Sequence, residues 1–185
     1  NEIEKVCQPT SIFLSGSRAR TDSTPGSDYE IGVLLPEDKY VGRSVLRGAV
    51  KDKGVSVYPF RLEQFKAGNP DTPFNKKIYL REVIASGKTL RGEKVIESMQ
   101  LPSIETLDVL SDAQFNLGYA LAATIAHRDG SEQTANLLFY KSCLFGVRSL
   151  IMEKTGKVPA TYDDIVAEAE LLELGEYADL VKAAY

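Results

Sequence analysis

The sequence predicts an α+β fold: a small unit of short strands and helices, followed by a bundle of helices. Two observations carry this. Up to about residue 60 the apolar residues come in short β-branched or aromatic runs bounded by Gly, Ser, Pro and Asp, and beyond it they recur at helical spacing. A length of 185 residues suits one domain of ordinary size or two small ones. The change of period, with a linker around Pro102, gives expected domains 1–100 and 101–185.

Three runs read as strands: Ile12-Phe13-Leu14, Ile31-Gly32-Val33-Leu34-Leu35, and Val55-Ser56-Val57-Tyr58. A turn at Gly16-Ser17 with a short helix joins the first two. Between the second and third, Val41, Val45, Leu46, Ala49 and Val50 recur at helical spacing, and Gly54 is expected to end that helix. Two modest helices follow, over Arg61–Ala67 and Phe74–Ala85, separated by the breaker-rich segment Gly68-Asn69-Pro70-Asp71-Thr72-Pro73. Lys88-Thr89-Leu90-Arg91-Gly92 reads as a turn or a short extended piece.

Farther on, Leu107, Leu110, Leu117, Leu121 and Ile125 share one face of a long helix that ends near Arg128-Asp129-Gly130. Ser131 starts the next helix, which runs through Leu137, Leu138, Leu144, Phe145, Leu150 and Ile151 to about Thr155. Thr161 and Asp164 match a capping box with Asp in place of the usual Glu or Gln, and a last helix covers Glu176–Ala184. Amphipathic helices joined by short links imply a bundle, with Phe139, Tyr140 and Phe145 expected in its core.

Composition narrows the function classes. No apolar run approaches the ~18 residues of a membrane span, and the first residues lack the basic-then-apolar pattern of a secretory signal. Cys7 and Cys143 stand apart, without the spacing of a zinc site or redox pair. A cytoplasmic protein with no membrane partner is expected. The net charge of -4 argues against a protein that coats nucleic acid, yet it leaves room for the few cations that one triphosphate needs.

The chemistry concentrates between Gly16 and Glu30. On a strand, Asp28 and Glu30 would point to the same side, with Cα atoms about 6–7 Å apart. Two carboxylates so close repel each other unless a cation lies between them, and oxygen ligands of this kind suit Mg²⁺. Gly16-Ser17 follows an apolar strand and precedes a helical turn, so its backbone amides can face an anion. The Ser17 hydroxyl adds a donor, and Arg18 and Arg20 supply charge for phosphate.

These residues carry a resemblance. Gly16-Ser17-Arg18-Ala19-Arg20 followed by Ser27-Asp28-Tyr29-Glu30 is similar to the signature of the DNA polymerase β-like nucleotidyltransferases, which include the minimal and the aminoglycoside nucleotidyltransferases. The motif match covers about fifteen residues, and the surrounding order of strands and helices agrees over the first ~95, including the segment Ile84–Leu90. The resemblance implies a mixed sheet, an NTP substrate and a Mg²⁺ cofactor held by Asp28 and Glu30. Gly16, Ser17, Arg18, Arg20 and Ser27 would contact the nucleotide, and a nucleoside monophosphate would pass to a hydroxyl acceptor.

Many members carry a third acid on the third strand, where this chain has Ser56, a residue that neither binds Mg²⁺ well nor accepts a proton at neutral pH. Three explanations stand: a base from the helical half, with Asp129 or Glu132 as candidates; Glu63 just past the strand; or lost transfer activity. The last corresponds to a non-catalytic nucleotide-binding or antitoxin-like, partner-binding protein.

The stretch from Val147 to Tyr162 is similar to HEPN-type bundles, which often accompany minimal nucleotidyltransferases. Arg148 lacks the following His of the nuclease members, so ribonuclease activity is not expected. The helices are expected to form a substrate wall or a homodimer face. His127 reads as a surface residue near a helix end. Arg43, Arg47 and Lys51 read as a solvated helix face, and Lys141 with Arg148 share a face that could be turned to a cleft.

Overall fold

The computed structural model describes residues 2–184. The chain divides into two compact units, Asn1–Ser103 and Ile104–Tyr185. The first is a small mixed sheet with helices on both faces, and the second is entirely helical among the described residues, so the class is α+β.

In the first unit, β1 (Ser11–Ser15), β2 (Tyr29–Leu35), β3 (Val55–Arg61) and β4 (Lys88–Gly92) form one sheet in the order β3-β2-β1-β4. β1 is antiparallel to both β2 and β4, whereas β2 and β3 run parallel. Phe13, Leu34 and Phe60 point to one face. There they pack with Leu62 and Phe65 of α3 (Leu62–Lys66), Leu80 and Val83 of α4 (Lys76–Ser86), and Val95 and Ile96 of α5 (Val95–Ser98). Ile12, Ile31, Val33, Leu35 and Val57 point to the other face, against Ile3, Cys7 and Leu46. Covering on both faces explains why β2 reads as a continuous apolar run.

Gly32 is the exception in that run. A Cβ there would come within 2.1 Å of the Phe13 ring, so the ring occupies the space a side chain would need. Pro59 sits in β3, an edge strand that pairs on one side only, where a missing amide costs least.

One open reading is settled here and one expectation changes. The segment 88–92 is a fourth strand; it borders β1 at the sheet edge, and its mostly exposed residues show no alternation of period two. The helix after β2, α2 (Arg43–Ala49), stops well short of Gly54 because Val50 is already extended. Gly54 belongs to the following turn, where its amide donates to the Asp52 carboxylate at 2.8 Å. Lys51 therefore lies beyond the helix, and Arg43 stacks over the Tyr58 ring at 4.3 Å.

The second unit contains α6 (Thr106–Arg128), α7 (Glu132–Thr155), α8 (Tyr162–Leu171) and α9 (Glu176–Ala184). Leu144, Val147 and Ile151 of α7 pack with Ile165 and Ala169 of α8 and Ala178 and Val181 of α9. The Thr161–Asp164 capping box is formed: the Asp164 amide donates to Thr161 Oγ1 at 3.1 Å, and the Thr161 amide to the Asp164 carboxylate at 2.9 Å. Gly156, with φ 69, closes α7 in the left-handed region. Ser131 stands at the start of α7 but makes no side-chain cap bond. Among the described residues no helix is long and apolar enough to cross a membrane.

Between α6 and α7 the contact is partly polar. Asp112, 2% exposed, accepts from Arg148 Nη2 at 3.1 Å, Asn116 Nδ2 at 3.0 Å and Ser149 Oγ at 3.4 Å. Arg148 also lies over the Phe145 ring at 4.9 Å. Its charge is thus committed inside the helical unit rather than to a cleft.

Phe139 and Tyr140 are exposed, contrary to expectation, because α8 and α9 bury α7 through Leu144, Val147 and Ile151, farther along the helix. Phe145 is half-buried between Tyr119 and Tyr162. The apolar stripe of α6 from Leu107 to Ile125 is exposed as well, since α6 turns a different face, with Val109, Asp112, Asn116 and Ala123, inward.

Removing one member of the buried pair tests this reading. Asp112→Ala strands the Arg148 guanidinium and is expected to cost about 3–5 kcal/mol of stability. The double change Asp112→Leu with Arg148→Met should recover much of that loss in urea denaturation.

Candidate functional site

The site begins where β1 ends. Gly16 takes φ 70, and α1 (Ser17–Arg20) follows as a single turn whose carbonyl acceptor at Gly16 serves the amides of Ala19 and Arg20. A helix start leaves its first amides, here those of Ser17 and Arg18, without an acceptor inside the turn. Thr21 closes the turn with φ 75, a strained conformation for a β-branched residue.

Strand register brings Glu30 to this turn. Ser15 and Glu30 are paired across the antiparallel β1–β2 ladder, and the Ser15 hydroxyl donates to the Glu30 carbonyl at 3.3 Å. The Glu30 carboxylate then rests on Gly16: a Cβ on that glycine would meet Glu30 Cδ and Oε2 at 2.7 Å. Gly16 is therefore required twice, for its positive φ and for the close approach. Asp28 is half-buried and lies just before β2 rather than within it.

The loop between α1 and β2 is pinned by the first arginine. Arg18 donates to the Ser27 carbonyl through Nε at 3.2 Å and Nη2 at 2.9 Å, reaches Ser23 Oγ at 3.4 Å, and lies over the Tyr29 ring at 5.0 Å. Ser27 Oγ accepts from the Thr24 amide at 3.0 Å. Arg20 pairs with Asp22 at 3.2 Å. Thus Gly16, Ser17, Arg18, Arg20, Ser27, Asp28 and Glu30 occupy one turn-and-loop region, with the arginines bonded to the loop and the Glu30 carboxylate against the turn.

On β3, Ser56 is in register with Glu30, so it sits beside Glu30 on the same face of the sheet. Glu63 opens α3 past the far end of β3, exposed and paired with Lys66 at 3.7 Å. A strand rises about 3.3 Å per residue, which puts Glu63 roughly 20 Å from Ser56, out of reach. Asp129 caps α6 and Glu132 opens α7, both exposed. His127 is exposed in the last turn of α6.

One residue that sequence reading missed belongs to this neighbourhood. Tyr79 of α4 contacts Phe60 and Phe74, and its hydroxyl pKa is pushed well above the ordinary value, first by burial and then by the charge of Glu30. Glu82 and Tyr58 push in the same direction. Nothing in the local sequence marks Tyr79, because only the packing of α4 on the sheet brings it to Glu30.

The Glu30 carboxylate at Gly16, with Asp28 just before the same strand and the first amides of α1 beside it, offers groups of the kind that suit a hard cation and a phosphate. Among the described residues no group of three or more His, Cys, Asp or Glu side chains is placed to hold a metal ion. A cation here would take two carboxylates, with phosphate oxygens and water completing its shell, which is how Mg²⁺ is commonly held.

No protein-family model and no curated protein matches the sequence. Among solved structures, the chain is similar to the spectinomycin adenyltransferase AAD(9) from Enterococcus faecialis with ATP and spectinomycin. That likeness has a TM-score of 0.57 at 15% identity and covers 100% of this chain and 86% of that one. It is a likeness of fold.

Tyr79 offers a test by pH. Because its pKa is raised on folding, the unfolded chain releases this proton first as pH passes 10.0, the ordinary value. The contribution to stability is intact below that pH and declines above it. Tyr79→Phe should flatten the fall of melting temperature above about pH 10. An unchanged slope would remove Tyr79 from the buried surroundings described here.

Proposed function

We propose that this chain is a Mg²⁺-dependent nucleotidyltransferase that moves a nucleoside monophosphate from an NTP to a hydroxyl acceptor. The observation that carries the proposal is the Glu30 carboxylate seated on Gly16, with Asp28 just before the same strand. In this reading the candidate metal ligands and phosphate donors share one small region. The fold shared with an adenyltransferase solved with ATP and spectinomycin supports a nucleotide donor, with ATP the first to test and a small molecule the first acceptor class.

In this reading Asp28 and Glu30 hold the cation, whose contribution is to offset charge on the phosphates as pyrophosphate leaves. Gly16 lets the triphosphate approach the backbone, where the amides of Ser17 and Arg18 and the Ser17 hydroxyl donate to its oxygens. Arg18 and Ser27 hold the loop that positions Asp28, and Arg20 adds positive charge. The same residues orient the α-phosphorus for in-line attack by the acceptor oxygen. The attacking hydroxyl loses its proton to a base from outside the β3 position, since Ser56 cannot take it.

The register of Ser56 with Glu30 also favours a second reading, a nucleotide-binding protein without transfer activity. One experiment separates the two. Calorimetric titration of each NTP with Mg²⁺ should show saturable binding that weakens at least about tenfold in Asp28→Asn and Glu30→Gln, a loss of roughly 1.4 kcal/mol. Pyrophosphate release with hydroxyl acceptors would then establish transfer, whereas binding without release across an acceptor screen supports the second reading. No binding by the wild type at millimolar NTP would overturn both.

A further inference from the structure

The long helix α6 buries one side and leaves an apolar stripe on the opposite one. At 100° per residue, Val109, Asp112, Asn116 and Ala123 fall on the side that meets α7. Leu107, Leu110, Leu117, Leu121 and Ile125 fall on the opposite side, where they are 74%, 58%, 68%, 64% and 48% exposed. An apolar stripe left outside on a helix whose other side is already packed calls for a partner of its own.

Here we infer that this outer stripe docks a second copy of the chain, with the two α6 helices packed antiparallel about a two-fold axis near Gln114 and Leu117. Three features select that occupant. The spacing of the stripe, steps of three, seven, four and four residues, is that of a helix–helix seam, with uncharged Gln114 in the gap. Small residues at Ser111, Gly118 and Ala122 flank it and allow close approach. The stripe is also self-complementary, as a two-fold contact requires: antiparallel pairing sets Leu107 of one copy opposite Ile125 of the other, and Leu110 opposite Leu121.

Charge agrees with the antiparallel sense. From Val109 to Ala126 the one charged residue is Asp112, which faces inward. The start of α6 carries Glu105 and Asp108, and its last turn carries His127 and Arg128. Two antiparallel copies bring the acidic start of each helix toward Arg128 of the other, which Asp129 at the cap partly offsets, and set the helix macrodipoles in opposition. The five apolar side chains expose on the order of 500 Å², at the upper range of what a monomer leaves in one patch. Gln114, Thr124 and Arg128 extend that toward the roughly 800 Å² per partner of a stable interface.

The inference stands apart from the nucleotidyl-transfer reading and is tested without nucleotide. Light scattering should give twice the 20.3 kDa chain mass at micromolar concentration. Leu117→Glu with Leu121→Glu should give monomers of unchanged helical circular dichroism. If that variant does not fold, cross-linking decides: Leu117→Cys should form disulfide-linked dimers under mild oxidation, and Tyr140→Cys, on the far side of α7, should not. A wild type that stays monomeric to about 100 µM, a dimer that survives both Glu substitutions, or equal cross-linking at both cysteines would overturn the inference.

Discussion

The register of β1 against β2 is the constraint on which the first unit depends. Phe13 lies across Gly32, and the space it fills exists because residue 32 has no side chain. With that pair fixed, Ser15 falls opposite Glu30, and the parallel register of β2 with β3 sets Ser56 beside it. A slip of one residue would turn Phe13 and Leu34 to the wrong face and carry Glu30 away from Gly16. Packing in the core and placement of the carboxylate are therefore one condition, met by one small residue.

Once Glu30 is placed, the loop before it has to be held near the same point. Arg18 does this with two bonds to the Ser27 carbonyl and a stack on Tyr29, spending donors that could otherwise reach an anion. Its first duty is positional, since it fixes the backbone on either side of Asp28. The strained φ of Thr21 fits the same picture, because a short turn must reverse the chain within reach of that anchor. Local strain is tolerated when the surrounding contacts over-determine the geometry, and here the sheet register and the Arg18 bonds both do.

How much of this could be read from the sequence depends on how local each feature is. The region 16–30 stood out as a candidate because its Gly-Ser turn, arginines and carboxylates lie within fifteen consecutive residues, and the capping box of α8 was legible because it too is local. The strand at 88–92 was legible only as a turn or a short extended piece, since an exposed edge strand has no buried face to impose alternation. Tyr79 was hidden because it approaches Glu30 only through the packing of α4 on the sheet. Asp112 was hidden differently: on a helix a lone acid reads as solvent-facing, and its partners Arg148 and Ser149 come from another helix.

The helical unit shows why an apolar stripe does not by itself tell which face is inside. The leucines of α6 form the more regular pattern, yet the inner face is the one carrying Asp112 and Asn116. A buried ionic contact contributes little net stability against an apolar replacement, but it fixes how two helices meet, because only one rotation of α6 satisfies Arg148, Ser149 and Asn116 together. With α7 held by that polar contact, the leucine stripe is turned outward as a consequence. The two faces of α6 thus differ by chemistry: hydrogen bonds specify the partner within the chain, and the apolar area stays on the outer face.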